Sequence, residues 1–325
     1  MKKFRTILLV FLTLIVIGCG KKDKEEPKVI SKEPGRHGEA LIWEVKSDTA
    51  TLYLVGSIHV AKEDMYPMQE ILLDAFYDSD AIAVEADVVA FEQNIQMQIE
   101  LIQILMYLDG TTIEDHLSAE VFKQLEDYME NVGIEGLEPY MMYIYRPAVI
   151  QMFITQEYIA SWGYDFDTGV DKYFINLAKK LNKPIIELES VRFQYEMIAG
   201  YSDRLQEELL KGIISLTEEE LEESKAQLEK MYQAWIAGDA EELERILEED
   251  EESELSEADA ALVEEYNTKM MTSRNAGMVE KALEMLKGDK KIFYVVGAAH
   301  MFGESGIINQ LELAGYTVTR IMHQH

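Results

Sequence analysis

Two histidines, His59 and His300, close two near-identical phrases, LYLVGSIH near the start of the chain and FYVVGAAH near its end. In each phrase an aromatic residue and a run of aliphatics lead into glycine, two small or apolar residues and the histidine. Imidazole changes charge near neutral pH and is the commonest protein ligand for transition metals. A third segment, AIAVEAD, carries a carboxylate, Glu85, at the end of another short apolar run. Two imidazoles and one carboxylate are a common ligand set for a catalytic divalent ion that keeps positions open for water or substrate. A single G-x-x-H is weak, because one histidine at a strand end more often serves as a structural hydrogen bonder. Two copies in matching contexts point to metal binding or catalysis. The other histidines lack that context: His37 reads as solvated in a charged stretch, His116 sits in a helical connection, and His323 and His325 lie on the C-terminal tail.

These groups meet only if the runs carrying them are neighbouring strands. ALIWEVKS and ATLYLVGS, separated by a short polar turn, predict a β-hairpin. YPMQEILLDAFYDS has helical spacing, with Ile71, Leu72, Ala75 and Phe76 on one face, and Ala81 to Glu85 follows as a buried-type strand. Strand, helix, strand is the opening of an α/β fold, in which ligands gather at the carboxyl ends of the strands. Gly56 and Gly297 are expected to let the chain turn sharply off its strands there.

The remaining segments are mostly helical. FEQNIQMQIELIQILMYL predicts one helix, a break spans Thr111 to His116, and Ser118 and Gly133 cap the next helix. A methionine- and aromatic-rich helix is interrupted at Pro147, with Tyr140, Tyr143 and Tyr145 lining either core or a substrate groove. Thr168 to Leu181 predicts a helix, and KPIIELES a strand whose end carries Glu187 and Glu189. An acidic helical stretch runs from Asp203 to Asn267, with EEDEESE as a loop or frayed end, and MMTSRNAGMVEKALEMLKGD is a further helix. KKIFYVVGAAH, ESGIINQLELAGY and TVTRIM close the chain as strand, helix and strand.

With 325 residues, 48% of them hydrophobic, the chain can bury a proper core. Its net charge of −31 repels phosphate backbones and argues against nucleic acid as a partner. MKKFR followed by the apolar TILLVFLTLIVI reads as a targeting segment, too short for a comfortable membrane span. VIGC resembles the bacterial lipobox, which implies a signal peptide over residues 1–19 and lipidation of Cys19. The expected location is then extracytoplasmic, anchored by lipid to a bacterial membrane, with residues 20–39 as a flexible tether. Cys19 is the only cysteine, so the exported domain over residues 40–325 folds without internal disulfides. Helical insertions are expected at about 91–162 and 203–285.

The paired VGSIH and VGAAH resemble the two GxxH motifs of the TraB/GumN family, related to the Tiki metalloproteases. AIAVEAD, GVDKYF, LESVRFQ, AWIAGD, SRNAGM and the closing VVGAAHMFGESGIINQLELAGYTV resemble further family segments in the same order, over about Ala40 to Ile321. The acidic stretch around 246–257 departs from them. The resemblance implies a fold like the Tiki, erythromycin-esterase and ChaN group: a central mixed sheet built from two βα halves, with large helical insertions. It also implies a divalent-metal-dependent hydrolase acting on peptide or protein substrates; His and carboxylate ligands leave the ion open among Mn²⁺, Co²⁺ and Zn²⁺.

In that reading His59, Glu85 and His300 hold the metal or the water it activates. Glu189 is a general base or further ligand, or else pairs with Arg192 or Arg274. Arg274 stabilises an oxyanion, or bridges a carboxylate. Asn275 orients a ligand or satisfies backbone groups. Asp171 either supports a ligand or, as favoured here, caps the following helix. Gln194 is structural support, and Trp235 and Asp239 fix a helix junction. Two rivals stand beside the metallopeptidase. One is a peptide-binding, sequestering lipoprotein; the other is a metal-independent esterase on the same fold.

Overall fold

The structure is a computed structural model that describes residues 35–323, except 135, 136, 139 and 250–255. The targeting segment, Cys19 and most of EEDEESE lie outside the described residues. Among those described, six strands form one mixed sheet: β1 (Ile42–Lys46), β2 (Thr51–Ser57), β3 (Ala81–Val84), β4 (Ile185–Glu187), β5 (Lys291–Gly297) and β6 (Val318–Arg320). Their order is β4-β3-β5-β2-β1-β6. The four strands from β4 to β2 run parallel, and β1 is antiparallel to both β2 and β6. β3 and β5 are buried almost throughout and read as continuous apolar runs, as parallel strands covered on both faces must.

The helices are α1 (Glu70–Asp78), α2 (Val88–Gln93), α3 (Ile95–Ile102), α4 (Ile113–His116), α5 (Ala119–Asn131), α6 (Pro147–Ser161), α7 (Val170–Leu181), α8 (Val191–Ala199), α9 (Asp203–Ile214), α10 (Glu218–Ala237), α11 (Ala240–Glu249), α12 (Glu257–Asn267), α13 (Ser273–Leu286) and α14 (Ile307–Leu313). One apolar core surrounds the sheet with α1, α7, α10, α11 and α13. A second core, built from α2–α6, α8, α9 and α12, sits beside it. No helix among the described residues is long and apolar enough to cross a membrane.

Several local expectations change. The single helix expected from Phe91 onward is two, because Asn94 leaves helical geometry and its side chain accepts from Met97 N–H, capping α3. Thr111 to His116 is not a plain break: Thr112 and Asp115 form a reciprocal capping box that starts α4. Pro147 does not interrupt a helix but opens α6 at its first position, where its missing N–H costs no hydrogen bond. α12 and α13 are joined by a π-helical turn, Thr268–Thr272. Tyr145 packs into the helical core whereas Tyr140 is exposed, so the three tyrosines line no common groove.

Candidate active site

Strand register does the first part of the assembly. In the parallel ladder Ser57 lies opposite Gly297, and Val84 opposite both Val295 and Glu187. The two repeated phrases are therefore neighbours in space, offset by one residue, and both end at the carboxyl edge of the sheet. Glu85 follows β3 directly, on the other side of β5. His300 lies in a short 3₁₀ turn, Ala298–Met301, just past β5.

The two imidazoles face one carboxylate oxygen. His59 Nε2 is 3.7 Å from Glu85 Oε1, and His300 Nε2 is 3.8 Å from the same atom. Each ring is held through its other nitrogen. His59 Nδ1 forms an ion pair with Asp171 Oδ2 at 2.7 Å, and Ser57 Oγ donates to Asp171 Oδ1 at 2.7 Å. His300 Nδ1 is 2.5 Å from Asn275 Oδ1, while the Asn275 amide nitrogen reaches Ser305 Oγ at 3.4 Å. That orientation assigns the proton to His300 Nδ1 and leaves Nε2 with a free lone pair.

Glu85 is fixed from two sides. Gly297 N–H donates to Oε1 at 2.7 Å, and Arg274 Nη2 donates to Oε2 at 2.5 Å. The same guanidinium holds both oxygens of Glu189 at 2.9–3.1 Å, and Nη1 donates to the Met270 carbonyl. Gln194 Nε2 donates to Glu189 as well. The Arg274 side chain is wholly buried, and the Glu85 and Glu189 side chains nearly so. Glu189 therefore pairs with Arg274, while Arg192 lies beside Glu196 instead. With no exposed surface, Arg274 has no open face toward a substrate oxyanion; it bridges two carboxylates.

Asp171 is not the cap of α7. Gly169 takes that position without a side-chain cap, and Asp171 turns to His59. The glycine matters because a Cβ there would lie 2.3 Å from the His59 carbonyl oxygen, with Val170 N–H donating to Ile58. The start of α7 passes directly under the histidine, and only glycine permits that approach. Gly297 does end its strand and lead into the 3₁₀ turn, whereas Gly56 lies inside β2, and both have an analogous steric reason. A Cβ on Gly56 would stand 3.2 Å from Ala298. One on Gly297 would stand 2.9 Å from His59 Nε2, 3.3 Å from Glu85 Oε1 and 3.6 Å from His300 Cδ2. Gly297 thus keeps open the space among the three groups.

The electrostatics split the two histidines. Burial lowers the proton affinity of His59, but the Asp171 charge at Nδ1, reinforced by Glu85, raises its pKa to about 9. Burial and then the Arg274 charge push His300 down to about 3. Burial raises Glu85, but Arg274, the two imidazoles and the Gly297 N–H bring it to about 2. Without an added ion, neutral pH finds an imidazolium, a carboxylate and a neutral imidazole around one point.

Two imidazole lone pairs and a carboxylate oxygen, with each ring pinned at Nδ1, fit a divalent ion in donor type and in outer-shell support. The space that a Gly297 Cβ would fill lies among them. The spacing is open: His59, Glu85 and His300 do not bring three donor atoms within 4.8 Å of one another, so the wide side of the triangle lies between the imidazoles.

Beside the histidines runs an apolar cleft whose walls include Leu228, Met231, Leu243, Leu247, Met270 and Met271. Trp235 from α10 also borders it and donates its indole N–H to the Gly56 carbonyl at 2.8 Å, tying the helical layer to the strand that carries His59. Asp239 caps α11 through Glu242 N–H.

The match to the TraB/PrgY/gumN family extends over residues 41–320, from the first strand to the last. The chain belongs to this family. An uncharacterized protein of Treponema pallidum (strain Nichols) is 21% identical over 276 residues, covering 84% of this chain and 80% of its own length. The uncharacterized protein YbaP of Escherichia coli (strain K12) is 26% identical over 152 residues, 47% of this chain and 53% of YbaP. No solved structure matches the chain. The family match covers His59, Glu85, Asp171, Glu189, Arg274, Asn275 and His300. Support of a ligand by Asp171 was the less favoured of its two sequence readings; His59 as its partner, and Gly169 and Gly297 as space-keepers, were not assigned from sequence. The juxtaposed Gly-Val-Asp of GVDKYF was the available signal for the first two.

Proposed function

We propose that this TraB/PrgY/gumN protein is a hydrolase acting on peptides, with a divalent ion held by His59, Glu85 and His300. The observation that carries this reading is the convergence of both Nε2 atoms on one Glu85 oxygen, around a space kept free by Gly297. When bound, the ion would supply Lewis acidity and lower the pKa of its water. The chain's own residues do the rest. Asp171 and Asn275 orient the two imidazoles. Arg274, braced by Glu189 and Gln194, keeps Glu85 ionised and aimed at the niche. The apolar cleft supports a substrate with an apolar side chain next to the scissile bond. The fold of the Tiki, erythromycin-esterase and ChaN group is part of the same proposal, as is an extracytoplasmic location with a lipid anchor at Cys19.

The test uses the full chain in mild detergent, stripped of metal and resupplied with Mn²⁺, Co²⁺ or Zn²⁺. Cleavage of a peptide library is read by mass spectrometry, and bound metal by elemental analysis. Metal-dependent cleavage that His59→Ala and His300→Ala both abolish is expected. Equal metal content and equal inactivity of all three proteins would end the metallopeptidase reading, and peptide retained without turnover would favour a sequestering protein.

The opposed proton affinities of the imidazoles favour a second reading. A charged His59 and a neutral His300 face one niche, which gives the protonation states of an acid and a base for a metal-free esterase, although a pKa of about 3 makes His300 a weak base. Hydrolysis that survives EDTA unchanged selects it.

A further inference from the structure

Residues before β1 and after β6 come together away from the niche. His37 Nδ1 lies 3.2 Å from His323 Nε2 and 3.1 Å from Glu70 Oε2. All three donor atoms lie within 4.8 Å of one another, and among the described residues this is the group of His, Cys, Asp and Glu that meets that spacing. Four ligands on a tetrahedral ion with bonds of 2.0–2.1 Å stand roughly 3.3–3.4 Å apart. The two short separations in this cluster already approach that figure. The imidazole rings are nearly perpendicular, at 84° with centroids 5.3 Å apart, so they meet edge to face rather than stacking.

The backbone holds the donors in place. Arg36 N–H donates to Met68, and Glu70 N–H donates back to Arg36, forming a parallel bridge that sets His37 beside the first turn of α1. A Cβ on Gly35 would lie 2.6 Å from Glu70 Cα, so the two segments are in backbone contact. On the other side, Ile321 N–H donates to Ile42, and His323 N–H faces both oxygens of Glu39 at 3.3 Å. The His37 side chain is 82% exposed, which leaves an ion here an outward position for water.

We propose that His37, Glu70 and His323 form a second divalent-metal site, of the kind that takes Zn²⁺, which clasps the segment entering the domain to the segment leaving it. Two imidazoles and one carboxylate suit Zn²⁺ and select against Mg²⁺, which prefers oxygen ligands and keeps its waters. An ion bound only when these three segments are folded together stabilises the fold by mass action. The site shares no residue with the niche, so it stands or falls apart from the proposed hydrolase.

The experiment titrates Zn²⁺ into the metal-stripped full chain in mild detergent, in a His59→Ala/His300→Ala background that removes the niche as a binder. One equivalent of Zn²⁺ is expected, with a rise in melting temperature that Mg²⁺ does not produce. In the same background Glu70→Gln and His323→Ala should each weaken Zn²⁺ binding more than about tenfold, the least that loss of even an outer-shell partner costs. Both should also remove the thermal shift. If the double background variant does not fold, the wild-type chain answers by stoichiometry, because His323→Ala then removes one equivalent. Zn²⁺ binding that is absent in the folded background, or left unchanged by both substitutions, overturns the proposal.

Discussion

Replacing Arg274 by methionine removes the one cation that two buried carboxylates share. Glu85 and Glu189 have only 6% and 7% of their side chains exposed, and the guanidinium gives them four hydrogen bonds from inside a shell with no solvent access of its own. Breaking a buried ion pair by deleting one partner costs about 3–5 kcal/mol, because the remaining charge is stranded. For a domain of this size that corresponds to a fall of roughly 6–10 °C in melting temperature. The loss should depend on pH. Arg274 is the largest of the influences that bring the Glu85 pKa below its ordinary value, to about 2. Without it, burial pushes the Glu85 carboxyl upward against the smaller pull of the two imidazoles and the Gly297 N–H. Relative to the parent, a carboxyl shifted upward in this way loses stabilisation only where it is ionised, so the penalty is larger at pH 7 than at pH 3.

Urea unfolding of the full chain, for the parent, Arg274→Met, Glu189→Gln and the double variant, reads the effect as a cycle. Glu189→Gln in the Arg274→Met background should recover part of the loss, since it removes one of the two stranded charges. A loss below about 1 kcal/mol for Arg274→Met, or strict additivity in the cycle, would show that the bridge does not hold the carboxylates as argued.

Four further outcomes are expected. Gly297→Ala should abolish hydrolysis and metal uptake at the niche while costing about 1–3 kcal/mol of stability, because its Cβ enters the space among His59, Glu85 and His300; unchanged activity would refute that placement. Gly169→Ala should destabilise more, since its Cβ meets the His59 backbone rather than a movable side chain, and a calorimetric melt within 1 °C of the parent would count against it. In the metal-stripped chain, His59 keeps its stabilisation below pH 6.5 and loses it as pH rises toward 9, whereas His300 keeps its own above 6.5 and loses it as pH falls toward 3. Together they place a stability maximum near pH 6.5, with at most about 3 kcal/mol from His59 and about 5 kcal/mol from His300, and a urea midpoint flat from pH 5 to 9 would contradict it. Finally, Met231→Glu should weaken cleavage of peptides with apolar side chains through KM, by placing a carboxylate in the apolar cleft; an unchanged KM would show that the cleft does not receive substrate.

The sequence by itself determined the strands and the chemistry they carry. The repeated phrase, the carboxylate at the end of AIAVEAD and the strand-helix-strand order are local patterns, and local sterics and apolar periodicity make them legible. The split of the long helix at Asn94 and the start of α6 at Pro147 depended on single-residue capping, which periodicity averages over. What only the tertiary structure decided was partnership. Whether Arg274 faced substrate or bridged Glu85 to Glu189, and whether Asp171 capped α7 or turned to His59, followed from how α7 and α13 dock on the sheet. The glycines show the reason most plainly: Gly169 and Gly297 are required by atoms more than a hundred residues away in the chain, His59 in both cases, and no local preference of the backbone records a neighbour that arrives only when the sheet is assembled.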